Sequence, residues 1–245
     1  MYQFFVDPED IQGKRIVIRG SDVNHIKNVL RMSVGDEISV SNGIDQKEYR
    51  CGIEEIGEEV ICSLRFIKED NIELPSKVYI FQGLPKSDKM ELIIQKCVEL
   101  GAYEIIPVAM SRSVVKLDAK RAAGKVQRWQ EIARAAAKQS KRSIVPVVHE
   151  LLSFKQALEY AAGLDVKLIP YEMAEGMEYT KGLIDSIRPG QSIGFIIGPE
   201  GGIAEDELAA AKTEGFKEIT LGKRILRTET AGLTLMSILM YHLEG

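Results

Sequence analysis

Apolar positions along this chain keep one spacing up to about residue 68 and another beyond it. In the first part they alternate: Tyr49, Cys51 and Ile53, then Val60, Cys62, Leu64 and Phe66, with Gly57 between the two runs. Alternation of this kind sends successive side chains to opposite faces of a strand. Arg15 to Ile18 and Glu37 to Val40 are further strand-like runs, and Asn42-Gly43 is a hairpin signal. Ser21-Asp22 can cap a short helix running to Arg31. Short strands at this spacing predict a small β-barrel.

The polar segment Lys68-Glu69-Asp70-Asn71-Ile72-Glu73-Leu74-Pro75 marks the predicted boundary, giving a first domain over 1–70 and a second over 76–245. Lys77 to Phe81, Tyr103 to Met110, Val166 to Tyr171, Ser192 to Ile197 and Lys217 to Leu221 then read as strands. Ser87 to Leu100, stopped by Gly101, Ser153 to Ala162 and Glu205 to Glu214 read as helices between them. Strands and helices in alternation predict an α/β fold, a parallel sheet with helices on both faces.

Two more helices carry distinctive faces. Over Asp118 to Gln139, Ala122, Val126, Trp129, Ala133 and Ala136 recur on one face, while Arg121, Lys125, Arg128, Arg134 and Lys138 fall outside it. Thr230 to Leu243 is apolar almost all round, with Leu233, Leu235, Met236, Ile238, Leu239 and Met240. Such a helix is either buried under the sheet or set in a subunit interface.

Composition narrows the class. At 245 residues the chain suits two domains, taking about 150 residues per domain as a soft guide. With 45% hydrophobic and 28% charged residues it has the balance of a soluble globular protein. No apolar run approaches the roughly 18 residues of a membrane span, and Met1 to Asp7 lacks a basic region ahead of a long apolar one, so the expected location is the cytoplasm. Cys51, Cys62 and Cys97 form no C-x-x-C pair and His25, His149 and His242 are scattered, which predicts reduced, buried thiols and no metal site.

Net charge is −4, yet Arg112 to Arg142 holds ten Lys or Arg against Asp118 and Glu131, a local excess of eight. Surface helices usually mix both signs, so this stretch favours contact with nucleic-acid phosphates, and Lys141 and Arg142 extend the patch past the helix. Lys27 and Arg31 in the amino-terminal helix suit either a solvated face or the same backbone contact.

Two stretches stand apart. Ser192 to Gly202 reads as a buried strand entering a glycine-rich turn, Gly198-Pro199-Glu200-Gly201-Gly202, where a ligand can lie against main-chain groups beyond the carboxyl end of the strand. The turn has neither the G-x-G-x-x-G nor the G-x-x-x-x-G-K-[ST] spacing, and it also suits a plain strand-turn-helix connection. About twenty residues on comes Leu221-Gly222-Lys223-Arg224-Ile225-Leu226-Arg227-Thr228-Glu229-Thr230-Ala231.

Together with QKCVELGA at 95–102, RWQEIARAAAKQSKR at 128–142 and HIKNVLRMSVGD at 25–36, these stretches make the chain resemble the RsmE-type enzymes of the SPOUT superfamily, which methylate N3 of a uridine in 16S ribosomal RNA. The likeness covers nearly the whole chain. It implies a small PUA-like β-barrel followed by a knotted α/β domain, a trefoil knot, that binds S-adenosylmethionine. It also implies a homodimer through the carboxyl-terminal domain and, as partner, the 16S RNA of an assembled or nearly assembled small ribosomal subunit. The competing readings are a SPOUT enzyme acting on a ribose 2′-hydroxyl in tRNA, and a non-catalytic RNA-binding assembly factor.

On that resemblance the cofactor is expected against main-chain groups of three loops: Leu168, Pro170 and Tyr171; Ile197, Gly198, Pro199, Glu200, Gly201 and Gly202; and Leu221, Gly222, Ile225 and Leu226. Methyl transfer to a ring nitrogen needs near-attack positioning and neither a metal nor a covalent intermediate. N3 of a neutral uracil carries a proton, so a proton acceptor and a cation are expected as well. Arg227 is expected to stabilise negative charge on the uracil or its phosphate, and Glu200 or Glu229 to accept the proton directly or through water. Glu229 alternatively caps the last helix, and Arg224 alternatively pairs with an acidic neighbour.

Overall fold

The computed structural model describes residues 1–69, 72–174 and 176–245. The chain forms two compact units, Met1–Glu73 with Ala137–Val145, and Leu74–Ala136 with Pro146–Gly245. The predicted boundary segment includes Asp70 and Asn71, which lie outside the described residues. No hydrophobic period in the sequence signals that 137–145 clusters with the amino-terminal residues.

In the first unit β1 (Gln3–Phe5), β2 (Ile11–Gln12), β3 (Arg15–Ile18), β4 (Glu37–Ser41), β5 (Glu48–Ile56) and β6 (Val60–Lys68) make a six-stranded sheet in the order β1-β4-β5-β6-β3-β2. The pair β1 and β4 is parallel and the other pairs are antiparallel. Tyr49, Cys51, Ile53, Val60 and Cys62 point inward, as alternation predicts, and share one core with Phe4, Ile16, Ile18, Ile26 and Ile38. Phe66 does not: it is 59% exposed. Cys51 pairs with Leu64 but Arg50 with Phe66, so Arg65 is an extra residue in β6 and the strand turns over beyond it.

Two local expectations change for identifiable reasons. Asn42-Gly43 lies in a six-residue connection from Ser41 to Glu48, not in a two-residue turn. The Asn42 side chain accepts from the amides of Ile44 and Asp45, and the Gly43 carbonyl accepts from the Val145 amide at 3.2 Å. The helix expected to run from Ser21 to Arg31 is shorter: α1 (Ser21–Asn24) passes into a wide π turn over His25–Val29, where the Leu30 amide reaches the His25 carbonyl at 2.9 Å. Arg31 then takes φ +53, which ends it.

The second unit contains β7 (Lys77–Gly83), α2 (Lys89–Glu99), β8 (Glu104–Ala109), α3 (Ala119–Gln139, its last turn clustering with the first unit), β9 (Val147–Val148), β10 (Leu152–Ser153), α4 (Phe154–Ala161), β11 (Val166–Pro170), α5 (Met177–Ser186), β12 (Ser192–Ile197), α6 (Glu205–Thr213), β13 (Lys217–Ile219) and α7 (Thr228–Glu244). The sheet is parallel throughout, in the order β10-β8-β7-β12-β11-β13, with β9 beside β8. Helix α5 and the two-residue strands escape sequence reading: α5 buries only Thr180 and Ile184, too little for a periodic signal.

Phe81, Ile106, Val108, Ile169 and Ile196 pack with Ala157, Leu158 and Ala161 of α4 and Leu208 and Ala211 of α6. Burying each of the larger side chains contributes about 1.5–3 kcal/mol before entropy is counted. The mostly apolar α7 packs on α2 and β12 and buries Leu235, Met236 and Leu239 completely, so the buried alternative holds for that face. Strands β11, β12 and β13 end at Pro170, Ile197 and Ile219, side by side and parallel, so the loops that follow gather at one edge of the sheet.

Candidate functional site

Those loops enclose a cavity of about 560 Å³. Of the residues expected to hold a small molecule, Pro170, Tyr171, Ile197, Gly198, Pro199, Glu200, Gly201, Gly202, Leu221, Gly222, Ile225 and Leu226 all line it. Leu168 is the exception: it is fully buried within β11, two residues before the strand ends. Lys89, Arg112, Thr220 and Thr228 also line the cavity, and sequence reading missed them. Lys89 and Arg112 follow β7 and β8, and only the strand order brings their loops beside β12.

The wall is held by short polar contacts. The Thr228 hydroxyl donates to the Gly198 carbonyl at 2.7 Å and accepts from Gln82 Nε2 at 2.9 Å, so a buried pair of side chains fixes the first residue of the turn. Buried Glu207 accepts from the amides of Ser111 at 2.8 Å and Ala204 at 3.3 Å, joining the end of β8 to the start of α6. Gly201 lies against the main chain of Arg112: a Cβ there would stand 2.8 Å from the Arg112 carbonyl oxygen. Gly222, at φ +117, occupies backbone space that other residues rarely adopt.

The charges are arranged unequally. Lys89 Nζ lies 3.1 Å from Glu200 Oε1 and 3.2 Å from Glu229 Oε2. The Lys86 amide also donates to Glu200, at 3.1 and 3.2 Å to its two oxygens. Burial pushes the Glu200 carboxyl up, but main-chain amides and Lys89 outweigh it and hold the group below the ordinary carboxylate range. Lys89 is raised, chiefly by its hydrogen bond to Glu200, against desolvation. Glu229 thus faces an ammonium, and no side chain caps α7. Arg224 and Arg227 line the cavity, are exposed, and have no ion pair among the described residues, so the acidic neighbour considered for Arg224 is not met. The site offers two uncommitted guanidinium groups beside two carboxylates already held by a lysine.

The other basic candidates divide. Lys125 and Lys141 are exposed; Arg121 is exposed beside Asp118, and Arg128 beside Glu91. Arg134 is exposed on α3. Within the first unit Arg31 is exposed, and Lys27 donates to the Gly57 carbonyl at 2.9 Å. One expectation is corrected. Arg142 is buried, 4% exposed, and bonds to buried Glu73, so it cannot face RNA. Lys138 donates to Asp22 at 2.7 Å and sits 4.3 Å over the Phe4 ring, with its side chain 25% exposed.

Cys51, Cys62 and Cys97 are buried, and burial pushes each thiol up to about 12, far from a thiolate nucleophile. Among the described residues no three His, Cys, Asp or Glu stand together as a metal site, and no helix is long and apolar enough to cross a membrane.

The profile of an RNA methyltransferase domain matches residues 72–240, and that of an RNA methyltransferase PUA domain matches residues 18–63. The chain is similar to a protein of Bacillus subtilis named ribosomal RNA small subunit methyltransferase E, 41% identical over 231 residues that cover 93% of this chain and 90% of that one. It is similar to the protein of the same name from Synechocystis, 32% identical over 231 residues, 94% and 74% covered. Among solved structures it is similar to ribosomal RNA small subunit methyltransferase E from Neisseria gonorrhoeae bound to S-adenosyl methionine, with a TM-score of 0.85, 32% identity and 98% and 97% coverage. A methyltransferase from Legionella pneumophila in complex with the same cofactor gives a TM-score of 0.84 at 30% identity, with 98% and 96% coverage.

Proposed function

The chain belongs to the ribosomal RNA small subunit methyltransferase E family, and from that premise we propose that it methylates N3 of a uridine in 16S ribosomal RNA, using S-adenosylmethionine. It is an S-adenosylmethionine-dependent ribosomal RNA methyltransferase with an α/β catalytic domain and a PUA-like domain. The observation that carries the site assignment is the cavity where β11, β12 and β13 end.

Its residues fit the cofactor. The volume lies in the range of small-molecule sites, Gly198, Gly201, Gly202 and Gly222 bring main chain to the wall, and Tyr171, Ile197, Leu221 and Leu226 supply apolar surface. We assign the grip to the main-chain groups of 197–202 and 221–226, with Pro170 and Tyr171 below. When bound, S-adenosylmethionine supplies a methyl group on a sulfonium, to which the N3 electron pair bonds as the sulfur–carbon bond breaks. Arg227, without an ion pair among the described residues and lining the cavity, stabilises the negative charge that the ring develops on losing its N3 proton. Glu200 and Glu229, both held by Lys89, direct the water through which that proton leaves.

Phosphate contacts fall to Lys27 and Arg31 and to the exposed bases of α3, Arg121, Lys125, Arg128 and Arg134, with Lys141 beyond it. The finer reading is a PUA-like domain over 1–70, a trefoil-knotted SPOUT domain over 76–245, and a cytoplasmic homodimer paired through the carboxyl-terminal domain. Exposed Ile238 and Tyr241 on α7, at 36% and 82%, support a second copy there.

Deleting the gene and mapping reverse-transcription stops on ribosomal RNA tests the activity, because methylated N3 blocks Watson–Crick pairing. One stop on 16S RNA should vanish and return with the wild-type copy. Unaltered stops would sink the assignment, and a lost modification in tRNA would transfer it to the competing target.

A further inference from the structure

We propose that Lys89 is a positioning residue of this reaction: its ammonium fastens the Pro199–Gly202 bend and the first turn of α7 to the start of α2, fixing the wall against which the methyl donor lies. The inference rests on the cavity being the donor site. Lys89 is the first residue of α2, Glu200 lies in the bend after β12, and Glu229 lies in the first turn of α7, so one side chain joins three segments that are far apart in sequence. The Lys89 side chain is 26% exposed, Glu200 25% and Glu229 16%, so the triad is only partly screened by water.

Charge makes the arrangement specific. Two carboxylates share one ammonium, leaving a net charge of one negative. Asp88 precedes Lys89 on its own segment, and Arg112, Glu172, Arg224 and Arg227 line the same cavity without an ion pair to the triad. Without the ammonium, Glu200 and Glu229 would repel each other with main-chain amides as the donors left to Glu200, and that repulsion disfavours the ionised form. The bend would lose its tie to α7. A residue that merely packed would have no such electrostatic signature.

The test begins on ligand-free protein. Carboxyl carbon NMR titration of wild type should show Glu200 ionising below ordinary carboxylates; in Lys89→Met it should ionise higher than in wild type, and Lys89→Arg should restore the wild-type curve. In calorimetry, Lys89→Met should bind S-adenosylmethionine on the order of tenfold more weakly, the effect of one charge-assisted contact, with Lys89→Arg close to wild type. In turnover, KM for the donor should rise more than kcat falls. A folded Lys89→Met protein with wild-type titration and wild-type donor affinity would overturn the proposal. Should Lys89→Met fail to fold, Glu229→Gln takes its place: with the tie to α7 weakened, donor affinity should fall in the same direction, and unchanged affinity would overturn the clamp. Wild-type protein that binds no donor at all would instead refute the donor site itself, with the ligand-free titrations still deciding the triad.

Discussion

Arg142 Nε donates to Glu73 Oε2 at 2.9 Å inside the first unit, where the two side chains are 5% and 4% exposed. The second Glu73 oxygen accepts the amides of Ser143 at 3.0 Å and Ile144 at 3.2 Å, and Gln3 donates to the Arg142 carbonyl at 2.6 Å. Removing one partner of a buried ion pair strands the other, which costs about 3–5 kcal/mol. Arg142→Met should therefore lower the unfolding free energy by that order in urea titration, and Glu73→Gln/Arg142→Met should recover part of it. An Arg142→Met protein of normal stability that binds RNA poorly would return Arg142 to the RNA surface.

Exposed Lys125 makes no ion pair among the described residues. If it meets a phosphate, Lys125→Ala should weaken RNA binding alike across sequences and flatten the slope of log affinity against log salt by about 0.7–0.9. Arg121→Ala should do the same after allowance for its pairing with Asp118 at 3.4 Å. Filter binding from low to high salt reads both, and an unchanged slope removes that residue from the interface.

How far the sequence foretold this depended on whether the signal was local. The alternation of β5 and β6, the parallel αβ order and the glycine-rich bend are written in neighbouring residues, and the bend and the 221–226 loop do meet at one cavity. Lys89 and Arg112 were not legible because they arrive through strand order, which no local pattern encodes. Arg142 was misread for the same reason: a basic residue after a basic helix looks solvated until Glu73, sixty-nine positions away, is seen to cover it. Phe66 failed through a single extra residue in β6, a bulge with no distinctive composition.

Gly201 is held close to the Arg112 carbonyl, so even Gly201→Ala must push main chain aside. The bend should shift, and S-adenosylmethionine binding should weaken together with a fall in melting temperature, the two effects coming from one displacement. Donor affinity equal to wild type in calorimetry would show that the bend does not hold the ligand.

The lowered ionisation of Glu200 has a defined sign with pH. A depressed carboxylate contributes stability above its unfolded value, about 4.3 for Glu, and that contribution fades as pH falls through the lower folded value. Wild type should be more stable than Glu200→Gln near neutrality, and the gap should close on acidification below about pH 4. Thermal melts of both proteins across that range read the gap; a constant difference would mean that Glu200 is not held ionised by Lys86 and Lys89.

Arg227 offers the sharpest separation of chemistry from structure. It precedes α7, its carbonyl accepts the Ala231 amide at 2.8 Å, and its guanidinium has no ion pair among the described residues. Truncation to Arg227→Ala leaves the main-chain bond in place, so stability should stay within about 0.5 kcal/mol of wild type. Donor binding should also persist, because the grip is assigned to main-chain groups. The developing ring anion, however, loses its cation, and removing one such donor costs on the order of 10²–10³ in kcat. Arg227→Lys should recover part of the loss, since a point charge replaces the planar fork. Single-turnover methylation with saturating donor measures the step directly, and a full rate in the alanine protein would move the anion-stabilising role to Arg224 or Arg112, the other guanidinium groups that line the cavity.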